Sequence, residues 1–342
     1  MSLLLSVLAW AVPAVFGACV AFALVAYALM IRHRRLPTET ILELSLASGD
    51  VRREMLDLPW ESAMVPTPGG YRLSAHFLPG TRPVLALFHH GVGWDWHGMQ
   101  RYMEAFIAAG WCVAALDSRG HGKSEGPGPS YGWFEKRDAI AVIDWASGKV
   151  ASMASEKTET GDGASWPTDG RGVPVVLLGE SMGAASVLQA SPLDGRIAGV
   201  IADSAFSSAA KELDHRLSRA YLPNPLRFLV VALVDLACRA IDGFSLYRTS
   251  PESAIMSTSI PILFIAGKED DYVPWRFSVE MYERRKESAP TELALFDGAI
   301  HARAWKTDRV RYDSLAVGFA ERALAAGNQG ASSGVAPAAD KR

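Results

Sequence analysis

Three side chains, far apart in the chain, have the types and order needed to attack a carbonyl carbon. Ser181 lies in Gly179-Glu180-Ser181-Met182-Gly183, after the apolar run Val173-Pro174-Val175-Val176-Leu177-Leu178 and before Ala184 and Ala185. A strand that reverses into a helix within one residue strains the backbone at that residue, and flanking glycines remove Cβ atoms that would clash there. The hydroxyl is thereby pushed outward. After the apolar run of residues 261–267, Lys268-Glu269-Asp270-Asp271-Tyr272-Val273-Pro274 supplies a carboxylate, with Asp270 as the candidate. Leu293-Ala294-Leu295-Phe296-Asp297-Gly298-Ala299-Ile300 then leads into His301. A serine hydroxyl is a poor nucleophile at its own pKa, so His301 would take its proton and return it to the leaving group. Asp270 would fix the imidazole tautomer and stabilise the imidazolium. The tetrahedral oxyanion needs two donors, and the backbone N–H of Met182 is one by position. The second is expected from Val92 in His89-His90-Gly91-Val92-Gly93.

These residues need a scaffold that ends several strands at one rim. Apolar runs at 84–88, 111–116, 173–178, 261–267 and 293–300 read as buried strands. The alternating stretch 71–78 reads as an antiparallel edge strand. Helices are expected over 99–109, 134–147, 182–190, 276–285 and 308–325. The polar, glycine-rich stretch 151–171 reads as a flexible insertion, and 327–342 as a disordered tail. From 207 to 259 the strand-helix rhythm pauses. Within that insertion, residues 227–239 form an apolar helix too short to span a membrane. Its plain reading is a cap helix packed on the domain, with contact to a lipid surface as the alternative.

At Asp117-Ser118-Arg119-Gly120-His121-Gly122-Lys123-Ser124-Glu125-Gly126 the sequence resembles the α/β-hydrolase superfamily, whose turn reads Asp-x-Arg-Gly-His-Gly-x-Ser-x-Gly. Asp203-Ser204-Ala205-Phe206 is similar to a strand end of that family, and Gly267 through Pro274 to its acid motif, whose spacing selects Asp270 over Glu269 and Asp271. The resemblance extends over about residues 59–326. It points to membrane-anchored bacterial serine hydrolases of the serine aminopeptidase and prolyl-oligopeptidase-like branches. It implies an α/β fold, a mostly parallel eight-stranded sheet flanked by helices with a helical cap insertion. It also implies a structural His121 and chemistry without a cofactor.

Other residues in the same segments have plainer readings. Trp94 and Trp96 follow the oxyanion loop and would either wall a substrate pocket or pack between loop and cap. His89 and His90 are expected to position the loop, since His301 already fills the base position. Asp203 is an alternative acid with poorer spacing, and Glu180 a side-chain contact below the nucleophile. Asp235 reads as a solvated or capping residue of the apolar helix. Tyr131, Trp133, Glu135 and Asp138 belong to a helix start.

Composition sets the outer bounds. With 342 residues, 49% hydrophobic and 21% charged, the chain buries one large core, and its net charge of -3 leaves no footprint for nucleic acid. Cys19, Cys112 and Cys238 lie far apart in apolar stretches, which reads as buried thiols rather than a disulfide framework. No His-x-x-x-His or Cys-x-x-Cys pair suggests a metal. Leu3 through Ile31 carries no charged side chain, longer than the apolar core of a cleaved signal and long enough to cross a bilayer. A single transmembrane anchor over residues 1–35 is therefore expected. Arg32, His33, Arg34 and Arg35 behind it would hold the catalytic domain in the cytoplasm by the positive-inside rule. Residues 36–58 read as a linker with room for a short helix. The expected reaction is hydrolysis of a small-molecule or lipid-like acyl ester. Peptidase or amidase activity, or a catalytically silent scaffold, are the alternatives.

Overall fold

Strands covered on both faces must be apolar throughout, and the central runs of this chain meet that demand. The computed structural model describes residues 2–31, 36–160 and 172–332. Its eight strands are β1 (Glu61–Pro66), β2 (Arg72–Leu78), β3 (Leu85–His89), β4 (Cys112–Leu116), β5 (Val175–Glu180), β6 (Ile197–Asp203), β7 (Ile262–Gly267) and β8 (Thr291–Phe296). They form one sheet in the order β1-β2-β4-β3-β5-β6-β7-β8. The β1–β2 and β2–β4 pairs are antiparallel, and all others parallel. The stretch read as an edge strand is thus the second strand. The edge is β1, whose burial pattern is largely exposed and which the sequence reading had passed over.

The helices are α1 (Ser2–Ile31), α2 (Thr38–Ser48), α3 (Arg53–Leu56), α4 (Gln100–Ala108), α5 (Glu135–Thr160), α6 (Met182–Ala190), α7 (Ala209–Arg219), α8 (Asn224–Ala237), α9 (Pro251–Ala254), α10 (Arg276–Arg285), α11 (Ala304–Thr307) and α12 (Arg309–Ser332). Alternation along the strands splits the core into two layers. Ala86 and Phe88 of β3 face α4 and α12, packing with Met103, Phe106 and Phe319. Leu85 and Leu87 face α5 and α6, packing with Val142, Ile143 and Val187. A third cluster joins α1, α7 and α8 to Met182, Phe206 and Val273 at the carboxyl ends of the strands. The insertion of residues 207–259 supplies α7, α8 and α9.

Three segments depart from the sequence reading. Helix α5 runs to Thr160 because Ala, Met, Glu and Lys carry it on past Gly148, so the first part of the expected flexible insertion is helical. The rest of that insertion, at 161–171, lies outside the described residues. Helix α12 likewise continues to Ser332, while 333–342 lies outside them, as does the basic flank 32–35. Residues 36–58 are an integral part of the fold, since Ile41, Val51 and Met55 of this segment are buried. Residues Ala9–Ile31 of α1 have a mean hydropathy of 2.4, apolar and long enough to cross a membrane. Cys19, Cys112 and Cys238 are buried and none is in a disulfide.

Arg285 at the end of α10 is wholly buried and, among the described residues, hydrogen-bonds only to uncharged oxygens. Its guanidinium donates to the carbonyls of Ile255, Thr258, Ile260 and Pro290 and to the Thr291 hydroxyl, at 2.6–3.0 Å. These bonds tie α10 to the lead-ins of β7 and β8. Burial pushes the group down to about 10, so it stays protonated at neutral pH. Arg285→Leu would fill the volume but strand those acceptors, and a loss of about 3 kcal/mol in unfolding free energy is expected from urea titration. A loss within the scatter of surface substitutions would contradict this account.

Candidate active site

Ser181 joins β5 to α6 with φ 54° and ψ -115°, a conformation that non-glycine residues rarely adopt. Close approach explains the neighbouring glycines. A Cβ on Gly183 would lie 1.9 Å from the His89 carbonyl oxygen, and one on Gly179 would lie 2.4 Å from the Gly183 backbone. Ser181 itself donates its N–H to the Asp203 carbonyl at 2.8 Å, which pins the turn to the end of β6.

The structure brings the three expected side chains together. His301 Nε2 is 3.0 Å from Ser181 Oγ, and its Nδ1 is 2.7 Å from Asp270 Oδ2. The other Asp270 oxygen accepts from the N–H groups of Tyr272 and Val273, at 3.1 and 2.9 Å. Glu269 and Asp271 are exposed, and Asp271 pairs with Arg219 at 2.7 Å, so neither competes for the imidazole. Asp203 is engaged elsewhere. It accepts from the hydroxyls of Ser204, Tyr102 and Tyr312 at 3.0, 3.2 and 3.0 Å. Burial and the charge of Glu180 push its carboxyl up to about 6. Burial pulls His301 down, but the hydrogen bond and charge of Asp270, with Glu180 and Asp203 behind it, hold the imidazole above its ordinary value.

A cavity of about 430 Å³ opens over Ser181 and His301. Gly91, Val92, Trp94 and Tyr272 contribute to its wall. A Cβ on Gly91 would sit 3.3 Å from Ser181 Cβ, so the loop bearing Val92 runs directly against the serine turn. Met182 opens α6, where the first backbone N–H groups have no intrahelical acceptor. Trp96 is not in the wall and the pocket reading fails for it. Its ring stacks on His76 with centroids 4.0 Å apart and meets Trp60 edge-on. His90 accepts the Ser118 N–H at Nε2 (2.8 Å), with Nδ1 2.7 Å from the Gly91 carbonyl, and so ties the loop after β3 to the turn after β4. Asp235 is buried rather than solvated, accepting from the Ser245 hydroxyl and Leu246 N–H at 2.7 Å. Among the described residues no group of three or more His, Cys, Asp or Glu side chains could hold a metal.

Sequence reasoning missed a buried charged layer below the serine. Arg101 of α4 pairs with Glu180 at 2.5 Å and with Asp50 at 3.1 Å, and Asp50 also pairs with Arg303 at 2.9 Å. Asp50 is 1% exposed and comes from the segment read as a linker. The signal for it was Glu180 itself, because a buried carboxylate requires a cation. The cation is on a helix 79 residues upstream, beyond the reach of local patterns.

Residues 86–329 match the alpha/beta hydrolase family. The chain belongs to that family. It is 28% identical over 308 residues to the uncharacterized protein YqkD of Bacillus subtilis (strain 168), covering 88% of this chain and 93% of that protein. It is 26% identical over 283 residues to the monoglyceride lipase of Homo sapiens, covering 73% of this chain and 86% of the lipase. Among solved structures it is similar in fold to the Pyrococcus furiosus esterase Pf2001, with a TM-score of 0.61 and 21% identity over 86% of this chain and 97% of the esterase. Membership of that family, with a lipase among the relatives, makes the chain a hydrolase by family.

Burial would raise the Asp50 carboxyl, but Arg101 and Arg303 outweigh it and hold the group below 3.8. The stabilisation is therefore complete above the ordinary carboxylate range and is lost as pH falls through the lower folded value. Asp50→Ala is expected to cost about 3 kcal/mol at pH 7 by leaving Arg101, Arg303 and Lys306 around an empty site. The difference from the parent protein in equilibrium unfolding should shrink below about pH 4. An equal difference at pH 7 and pH 3 would show that the pairing contributes nothing.

Proposed function

We propose that the protein is a membrane-anchored serine hydrolase that cleaves acyl esters through a covalent acyl-enzyme. The observation that carries this reading is His301 lying within hydrogen-bond reach of both Ser181 and Asp270. Residues 59–326 would be the catalytic domain and α1 the anchor, with the domain in the cytoplasm. Ester substrates, small or lipid-like, are favoured by the lipase and esterase relatives.

In the first half-reaction Ser181 Oγ bonds to the ester carbonyl carbon as its proton passes to His301 Nε2. The resulting oxyanion is stabilised by the backbone N–H groups of Met182 and Val92. Collapse breaks the bond to the alcohol oxygen, which leaves with the proton held on His301. In the second half-reaction a water gives a proton to His301 and its oxygen attacks the acyl carbon. Breakdown then releases the acid and returns the proton to Ser181. Asp270 keeps the Nδ1 proton in place and offsets the charge of the imidazolium. Trp94, Tyr272 and Ile300 would bound the space available to acyl and alcohol groups.

Ser181→Ala and His301→Ala are expected to abolish both fluorophosphonate labelling and ester turnover. Asp270→Asn should lower kcat about 10⁴-fold while leaving the fold intact. Intact protein that takes no label at Ser181 would remove the enzyme reading and leave a scaffold. A panel of p-nitrophenyl esters of rising chain length beside aminoacyl anilides separates the two hydrolytic readings. Esters should turn over and anilides should not, whereas preferred anilide cleavage would favour the peptidase branch.

The pH profile gives an independent check. His301 must be neutral to accept the serine proton, and its pKa lies above 6.5. Activity should therefore rise with pH through a midpoint above 6.5. In Asp270→Asn the carboxylate that raises the imidazole is gone, so the residual activity should show its acid limb at lower pH. An acid limb that does not move would mean that Asp270 does not act on His301.

A further inference from the structure

The anchor helix does not leave the domain cleanly at its carboxyl end. Up to residue 18 the side chains of α1 described from Val7 onward are exposed, but from Cys19 one side of the helix is buried. Cys19, Ala23, Ala26, Tyr27, Met30 and Ile31 pack in one cluster with Val230, Val231 and Val234 of α8 and Leu213 and Leu217 of α7. The docking is reinforced by polar contacts. The Tyr27 hydroxyl donates to Asp242 at 2.6 Å, and the Tyr131 hydroxyl donates to the Met30 carbonyl at 3.1 Å.

This arrangement conflicts with a domain hanging below the bilayer on a fully inserted helix. The stretch before Cys19, residues 2–18, spans only about 25 Å at the helical rise, whereas the hydrocarbon core is about 30 Å thick. To cross, the helix must draw the first turn or more of its docked stretch into the apolar layer, and α8 moves with it. The surfaces there suit that depth. On the outer side of the docked stretch, Phe22, Leu24, Val25 and Leu29 are exposed. On α8, Phe228 is 70% exposed and Leu236 60%, on the side of the helix turned away from Val230 and Val234. Tyr221 and Ile241, just beyond the two ends of α8, are exposed as well. Water is a poor partner for such a face, and continuity with the anchor names a better one.

We propose that α8 lies in the membrane interface beside α1, with a lipid bilayer covering the apolar face that the two helices present. The inference rests on the anchor reading given above and deepens it. Met182, next to the serine, and Val273, three residues after Asp270, belong to the same cluster as α1 and α8. The cluster that seats α1 and α8 thus reaches the residues next to Ser181 and Asp270, which suits an acyl substrate drawn from the bilayer rather than from water.

The test uses the full chain reconstituted into phosphatidylcholine–phosphatidylglycerol vesicles that carry nitroxide-labelled lipid. Single cysteines replace Trp10 on the free part of α1, Phe228 and Leu236 on α8, and Glu287 before β8, at the opposite end of the sheet from the cap. All four positions are exposed, so the substitutions do not disturb the core, while the three native thiols are buried. A bimane label should be quenched about twofold or more by the nitroxide lipid at positions 10, 228 and 236, and should be unaffected at 287. Quenching at 10 with labels at 228 and 236 open to aqueous iodide would overturn the inference and leave the anchor standing. Quenching at none of the positions would remove the anchor as well. Shielding of 228 and 236 from both lipid and iodide would mean that a second copy of the chain covers the face, and would also overturn it.

Discussion

One imidazole held between a carboxylate and a hydroxyl is the arrangement on which the rest of the structure depends. His301, Asp270 and Ser181 follow β8, β7 and β5, and in the sheet order β8 is three strands away from β5. At the usual strand spacing that separation is about 14 Å, more than a histidine side chain bridges. The loop after β8 must therefore fold back across the sheet. Gly298 and Ala302 turn it with φ of 73° and 54°. It is fastened where it passes over its neighbours. Glu269 donates its N–H to the Ala299 carbonyl at 2.9 Å, and Ala302 donates its N–H to the Ser204 hydroxyl at 3.2 Å. Gly267 is a glycine for the same reason, since a Cβ there would lie 2.2 Å from the Ala299 oxygen.

Beneath that rim lies a layer that is charged rather than greasy. Buried ion pairs rarely add net stability compared with apolar packing, because both partners lose their water. Their value here is positional. Glu180 is the residue before Ser181, Arg303 is two residues after His301, and Arg101 and Asp50 link them through short contacts. Displacing any one of them leaves a charge without its counterpart, so the layer resists small shifts that an all-aliphatic core would absorb. It also draws the segment behind the apolar helix into the floor of the site, through Asp50.

The legibility of the chain follows how local each demand is. The serine turn, the Asp270 loop and the strand before His301 were readable because glycine, carboxylate and apolar residues stand close together in sequence. The limits of α6 and α10 were readable for the same reason. Long-range demands were not. Asp50 looks like an ordinary turn residue after Gly49, and its burial is decided by arginines about 50 and 250 residues away. Strand β1 escaped because an exposed edge strand needs no apolar signature, and it carries Pro66 at its end. Trp94 and Trp96 looked equivalent, yet with Asp95 extended between them one lines the cavity and the other stacks on His76.

The central claim concerns a proton, and proton NMR observes it directly. On this account the Nδ1 proton of His301, bonded to Asp270, gives a resonance far downfield of the amide envelope, and Asp270→Asn abolishes it while the rest of the spectrum is kept. A spectrum in which no downfield proton depends on both His301 and Asp270 would contradict the account.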